Sequence, residues 1–397
     1  MTEFSTRAVH GPLEPDPGMA LPHVAPIQQT TSFTFPSVRE GIEAFQGSGT
    51  YLYTRKANPT IRALERHVAV LESAPVETPS GSRSVAREID SLFFTTGMAA
   101  ISATVLGVGA GGRVVCQGGI YGTTEAMASG LGRFGITVDF APVGDVGALA
   151  DVVASGPAPA LVYIESPANP LLQVTDIERA AGLAHERGAM LAVDATFATP
   201  ALERPLAWGA DLVLHSTTKF ISGHGVVLGG VVSGASELLA AAIEPMRVQF
   251  GGSADPFAAW LTHLGLKTLA VRMERHAANA DALAVALRAH PRVSRVYRPE
   301  LDRIPAGQLA AGGPMLSFEV EGGEGAALET IDRFELITLA PTLGNLDTLV
   351  QHPWSMSHVV VPEARRLAMG ITPGVLRLSV GLEDVDDLRA DLERALR

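Results

Sequence analysis

Leu212-Val213-Leu214-His215-Ser216-Thr217-Thr218-Lys219-Phe220-Ile221-Ser222-Gly223-His224 joins a short, wholly apolar run to a polar turn that carries a lysine. Upstream, Leu191-Ala192-Val193-Asp194-Ala195-Thr196-Phe197 repeats the plan with an aspartate in the turn. Further outward, similar runs stand at Leu92-Phe93-Phe94, Arg113-Val114-Val115-Cys116, Leu161-Val162-Tyr163-Ile164 and Gly230-Val231-Val232, with helical stretches between them. Strands that are apolar throughout and separated by helices predict a mostly parallel sheet covered by helices on both faces. In such α/β sheets ligands gather beyond the carboxyl ends of the strands. The polar residues fall there: Thr95-Thr96-Gly97, Tyr121-Gly122, Glu165-Ser166, Asp194 and Ser216 to Lys219 each close an apolar run.

The flanks have a different texture. Residues 1–60 are rich in Pro, Gly and Thr and lack sustained periodicity, which predicts an extended arm lying on something else. Ile61, Leu64, Val68 and Leu71 have helical spacing, and the polar Thr78 to Ser84 reads as a surface loop. After Asp255-Pro256 a long helical stretch runs through Ala289. The alternation in Met315 to Val320 and in Val375 to Val380 then predicts half-exposed strands. Three regions result: an N-terminal arm, 1–60; a ligand-binding domain, 61–254; and a smaller C-terminal α+β domain, 255–397.

At 397 residues the chain is too long for one small core. Its net charge of -12 argues against a nucleic-acid surface and for small molecules or further copies of the chain as partners. Cys116 is the single cysteine, so neither a disulfide framework nor a thiolate metal site is expected. The N-terminus shows no leader-like apolar segment and no stretch is long enough to span a membrane, so a cytoplasmic location is expected.

The turn residues suggest a chemistry. Lys219 follows an apolar strand, where desolvation lowers an amine pKa toward the range in which it bonds a carbonyl. Asp194 closes another such strand and is costly to bury without a cationic partner. A Schiff-base lysine together with a carboxylate for a protonated pyridine nitrogen points to pyridoxal 5'-phosphate. Ser216 and Thr218 offer hydroxyls to its phosphate, and Thr96-Gly97-Met98 opens a helix whose N–H groups face the same anion. Tyr121, between glycines, is placed to stack on a planar ring, and Arg377 on its strand is placed to fork onto a substrate carboxylate.

With these residues assembled, the chain resembles the Cys/Met-metabolism family of pyridoxal-phosphate enzymes. The similarity runs from Ser5-Thr6-Arg7-Ala8-Val9-His10 through Tyr53-Thr54-Arg55-Lys56, Thr96-Gly97-Met98-Ala99-Ala100, Tyr121-Gly122-Thr123-Thr124 and Glu165-Ser166-Pro167-Ala168-Asn169-Pro170. It continues through the aspartate and lysine motifs and Gln351-His352-Pro353 to Leu376-Arg377-Leu378-Ser379. The resemblance implies the type I aminotransferase fold and a homotetramer, a dimer of dimers with shared active sites. In it Tyr53 and Arg55 reach the neighbouring subunit's cofactor phosphate. It also implies that Asn169 and Thr342 stand near Arg377 around the substrate carboxylate, and that Lys219 and Tyr121 are catalytic.

Substrate specificity depends on the departures. Where cystathionine-handling relatives carry an arginine and a glutamate for the far end of the substrate, this chain carries Ala126 and Pro341. That favours a small or apolar γ-substituent and a carbon–sulfur lyase of the methionine γ-lyase type. The alternatives are a γ-replacement enzyme, such as an O-acyl-homoserine sulfhydrylase or a cystathionine γ-synthase, and a cystathionine lyase. Thr123, Ala195 and Arg247-Val248 also depart from the pattern, and the region Thr78 to Arg87 is longer than in relatives.

Overall fold

A computed structural model describes residues 3–11, 23–47, 51–142 and 146–397. A small antiparallel hairpin, β1 (Val76–Thr78) and β2 (Gly81–Arg83), leads into the main sheet. That sheet is built from β3 (Ile89–Phe94), β4 (Arg113–Cys116), β5 (Thr137–Phe140), β6 (Leu161–Glu165), β7 (Met190–Asp194), β8 (Leu212–His215) and β9 (Gly230–Ala235), in the order β3-β9-β8-β7-β6-β4-β5. β9 alone runs against its neighbours β3 and β8, while β8, β7, β6, β4 and β5 are parallel. The carboxyl ends of β3, β4, β6, β7 and β8 therefore open on one edge.

Both faces of the sheet are buried, as the unbroken apolar runs require. Val115, Val162, Ile164, Leu191, Val193 and Val213 pack on one side, while Val114, Cys116, Tyr163, Ala192, Leu212 and Leu214 pack on the other. β5 is a strand that the sequence reading missed. Its Thr137-Val138-Asp139-Phe140 alternates and is only partly buried, as befits an edge strand.

The second sheet comprises β10 (Val293–Tyr297), β11 (Met315–Val320), β12 (Thr338–Leu339), β13 (Leu349–Gln351) and β14 (Val375–Ser379), ordered β10-β11-β14-β13-β12. Leu316, Phe318, Leu376 and Leu378 pack with the helices Leu269–Ala289, Gly323–Asp332 and Val385–Ala395. β11 and β14 are not half-exposed as expected. β14 is buried throughout and β11 nearly so. Their polar face turns toward the loops of the main sheet, where Ser317 donates to the carbonyl of Pro170 at 2.7 Å. The alternation thus separates core from inter-sheet seam, not core from water.

Three other expectations need correction. The arm is not extended throughout: Phe4–His10 is a helix whose Ala8 is buried with Ile61, Leu64 and Val68, and Val38–Phe45 is a second helix. Within the arm, residues 1–2, 12–22 and 48–50 lie outside the described residues. Thr78 to Ser84 lies at the surface as expected, but as part of a hairpin: Thr78 ends β1 opposite Gly81, which opens β2 at φ 121°. The stretch from Pro256 to Ala289 is two helices, Pro256–Leu266 and Leu269–Ala289, broken at Lys267-Thr268.

The break lies beside a close contact with the lysine turn. Gly265 lies so close to Ser222 that a Cβ there would stand 2.1 Å from its carbonyl oxygen. Arg272 then reaches back to donate to the carbonyls of Phe220 (2.7 Å), Ile221 (3.2 Å) and Gly265 (2.8 Å). The turn that carries Lys219 is thereby clamped from below.

Candidate active site

The open edge of the main sheet faces β13 and β14 across a cavity of about 630 Å³. Thr96, Gly97, Met98, Tyr121, Asn169, Asp194, Ser216, Thr218, Lys219, Thr342 and Arg377 all line it, together with the departure positions Thr123 and Pro341. Eleven of the thirteen candidate cofactor and substrate residues thus meet in one place. Tyr53 and Arg55 do not line it: both are exposed, and the Arg55 guanidinium lies 5.5 Å from the centre of the Tyr53 ring. Ala126 is exposed and does not line it, and Ala195 is buried in the core on one face of the main sheet. Arg247 is likewise a structural residue here, buried and paired with Glu65 at 2.5 Å, with a second bond to the carbonyl of Lys56 at 3.1 Å.

Two of the loops are fixed by local chemistry. Thr96 caps the helix Gly97–Gly109, its hydroxyl accepting from Ala99 N at 3.0 Å, which leaves the first-turn N–H groups of that helix directed at the cavity. Gly97 is required there because a Cβ would come within 2.8 Å of Ser216 Cβ and Oγ. Thr218 Oγ1 accepts from Gly229 N at 3.0 Å and donates to Gly229 O at 3.2 Å, so its proton can be redirected to an anion in the cavity.

Asp194 lies beside Glu165 in register on adjacent strands, and both carboxylates are buried. Asp194 accepts from Thr196 N at 3.0 Å, Thr196 Oγ1 at 2.5 Å and Tyr163 Oη at 3.2 Å. Burial raises its pKa against those bonds. Glu165 is pushed well above the ordinary carboxylate range by burial and by Asp194, opposed by backbone N–H groups of Tyr121 and Asn169. Its Oε1 receives Tyr121 N at 2.7 Å. Glu165 thus joins two loops of the site through their backbones. The sequence reading noted it only as the end of an apolar run; a carboxylate closing a fully buried strand beside Asp194 was the available signal.

Lys219 donates from Nζ to Thr342 Oγ1 at 2.9 Å, and burial, with Arg377 nearby, pushes its pKa down to about 8. Arg377 is buried between Asn169, whose Oδ1 takes Nη1 at 2.8 Å, and the Thr342 carbonyl, which takes Nη2 at 3.2 Å. Burial lowers its pKa to about 10. Arg377 Nε and Gln351 Oε1 have no hydrogen-bond partner among the described residues. An orphaned guanidinium N–H beside a neutralisable amine suits an amino-acid carboxylate. Phe197, Leu228, Leu343, Met356 and Gln351 also line the cavity; Gln351 and Phe197 fall in the motifs quoted above, whereas Leu228 carries no distinct signal in the sequence.

These groups fit pyridoxal phosphate: a buried carboxylate awaiting a cation, a close-packed cradle at Gly97 and Ser216, and a buried lysine. Among the described residues, no three His, Cys, Asp or Glu side chains stand together to hold a metal, and no helix is long and apolar enough to cross a membrane.

Comparison with known proteins agrees with this cofactor. The family model for the Cys/Met metabolism PLP-dependent enzyme matches residues 5–397. An L-methionine gamma-lyase of Pseudomonas putida is 39% identical over 99% of this chain and 97% of its own length. An O-succinylhomoserine sulfhydrylase of Pseudomonas aeruginosa is 38% identical over 92% of this chain and 89% of its own. The crystal structure of a cystathionine gamma synthase from Xanthomonas oryzae pv. oryzae, in complex with aminoacrylate and cysteine, is similar at a TM-score of 0.88 and 36% identity, covering 100% of this chain and 98% of that one.

Proposed function

The chain belongs to the Cys/Met metabolism family of PLP-dependent enzymes, and on that footing we propose that it is a carbon–sulfur lyase of the methionine γ-lyase type. It removes the γ-thiol of a sulfur amino acid by elimination, and with water the remainder becomes a 2-oxo acid and ammonia. The observation that carries this reading is the charge inventory of the cavity. Among the described residues, those that line it with a charge are Glu165, Asp194, Lys219 and Arg377. Each has a task in the cofactor site or at the α-carboxylate, which leaves no charged lining residue among this chain's described ones to grip a second amino-acid head. Pro341, Leu343, Phe197 and Met356 offer an apolar wall to a small thioether instead.

Pyridoxal phosphate, when bound, supplies the electron sink that stabilises negative charge at the substrate Cα. Asp194 would pair with its ring nitrogen, and the first-turn N–H groups of Gly97 and Met98, with the Ser216 and Thr218 hydroxyls, would hold its phosphate. Thr96 shapes that cradle. Tyr121 would stack on the ring. Arg377, held by Asn169 and Thr342, grips the substrate carboxylate and so fixes the Cα–H bond toward Lys219. Lys219 Nζ, already a poor holder of its proton, takes the Cα proton, passes it on and then takes a Cβ proton, so that a Cβ–Cγ double bond forms as the Cγ–S bond breaks. Tyr121 Oη, on an exposed side chain at the mouth, protonates the departing sulfur.

The same proposal assigns residues 1–60 to an arm, 61–254 to the cofactor domain and 255–397 to a C-terminal domain, in a cytoplasmic homotetramer whose paired subunits share active sites. Tyr53 and Arg55, absent from their own chain's cavity, serve a neighbour's phosphate. The competing reading is γ-replacement, favoured by the sulfhydrylase among the relatives. A panel of methionine, homocysteine, cystathionine and O-acetylhomoserine, assayed for 2-oxo acid with and without added thiol, separates them. Turnover of methionine or homocysteine without thiol is expected. Product formation only with thiol would overturn the lyase, and cystathionine as best substrate would overturn the argument from lining charge.

A further inference from the structure

A second large cavity, of about 810 Å³, shares the segment 167–174 with the active site: Pro167 and Asn169 line one, and Leu171 to Val174 line the other. Five arginines line it, Arg179, Arg288, Arg295, Arg298 and Arg303. The chain holds 30 basic against 42 acidic residues, so this concentration runs against its average charge.

Ordinary surface pairing does not account for the cluster. Arg303 pairs with Glu300 at 2.5 Å, and Arg298 is fixed by Asp281 and by the carbonyls of Gly313 (2.8 Å) and Met315 (2.5 Å). Arg179, Arg288 and Arg295 have no carboxylate partner among the described residues, although Arg295 lies 4.8 Å over the Tyr297 ring. Arg179 stands in the first turn of the helix Ile177–Glu186, where the helix dipole opposes a cation. The other acidic lining residue, Asp176, caps that helix by accepting from Arg179 N at 3.0 Å. Burial and the nearby Arg288 charge both act against the Arg298 cation, although Asp281 supports it. Beside the arginines the wall is apolar, with Leu171, Leu172 and Met369 buried, and Leu172 held in the left-handed region at φ 63°.

We propose that this cavity binds a small phosphate ester bearing at least two negative charges, its phosphates between Arg179, Arg288 and Arg295 and its organic part on Leu171 and Met369. Arginine forks match phosphate oxygens bidentately, and a multiply charged anion relieves the mutual repulsion. The cavity has the size of an ordinary small-molecule site.

The test is calorimetric titration of the holoenzyme, saturated with pyridoxal phosphate so that the active-site cradle is taken, with pyrophosphate and with ATP. Binding of one ATP per chain is expected, at least as tight as pyrophosphate and weakening with salt. The double variant Arg179→Gln/Arg295→Gln, which alters only exposed side chains, should weaken it by about tenfold or more. Arg389→Gln, on the helix Val385–Ala395, should leave it unchanged. No saturable heat up to about 5 mM ligand at low ionic strength overturns the proposal. So does equal binding by the double variant, or ATP binding more weakly than pyrophosphate.

Discussion

The two sheets contribute to the active site in different ways. The main sheet delivers its residues from strand ends: Thr96 after β3, Glu165 and Asp194 at the ends of β6 and β7, Ser216 to Lys219 after β8. The small sheet delivers Arg377 from the middle of β14, paired across the strand to Ser317 on one side and Gln351 on the other. Strand ends converge many backbone N–H groups and short polar side chains on a point, which suits a phosphate and a ring. A strand face presents one long side chain between neighbours that hold it straight, which suits a single fork on a carboxylate. On the proposed reading the lesson is a division of labour: the large sheet would seat the cofactor, and the small one would supply the fork for the substrate carboxylate.

Lys219→Ala presses hardest on that division. Turnover should fall by about 10⁴-fold or more, and the cofactor should be lost on dialysis; normal turnover would remove Lys219 from the mechanism. Arg377→Lys comes next, with kcat/KM reduced about 10²- to 10³-fold, chiefly through KM, and cofactor retention unchanged. A visible absorbance spectrum that loses its cofactor band in Arg377→Lys would erase the distinction between the sheets. Glu165→Gln keeps the shape but cannot accept two backbone N–H groups equally, so we expect about a tenfold drop in kcat/KM and a shifted cofactor absorbance, because Tyr121 is released. Unchanged kinetics and spectrum would leave Glu165 a packing residue.

The smallest effect is on the small-sheet side and is read as stability. His276, facing β14, donates to the Val380 carbonyl at 2.7 Å, and burial pushes its pKa down to about 4 from 6.5. Its unfolded form binds a proton first, so stability is full above about pH 6.5 and is lost as pH falls toward 4. Moving from pH 6.5 to 5.5 should cost about 1 kcal/mol through this residue. Urea unfolding of His276→Gln should show a correspondingly smaller acid loss; an identical loss would show that His276 carries none of it.

Legibility in the sequence followed the same division. The strand ends of the main sheet were readable because each polar motif interrupts an apolar run, so local order reveals what the fold gathers. β5 escaped because an edge strand is partly wet and its pattern is weak. The burial of β11 and β14 was misread because alternation tells that two faces differ, not what covers the second. Glu165 was visible but unassigned, since its bonds go to the backbones of Tyr121 and Asn169, and backbone donors leave no trace in side-chain identity. The Arg179, Arg288, Arg295 cluster was beyond reach for a related reason: its members come from two helices' ends and a strand that only tertiary structure brings together.

The order of the small sheet also bears on how the molecule is made. β14 is the last strand to be synthesised, yet it occupies the centre, between β11 and β13. Until it inserts, those two strands keep open edges, a hazard in any emerging chain. The cradle from Thr96 to Lys219, by contrast, lies wholly upstream and can close while the C-terminus is still being added. A polypeptide cut short before Val375 would leave the ribosome with the cofactor's seat largely written and nothing to hold a substrate.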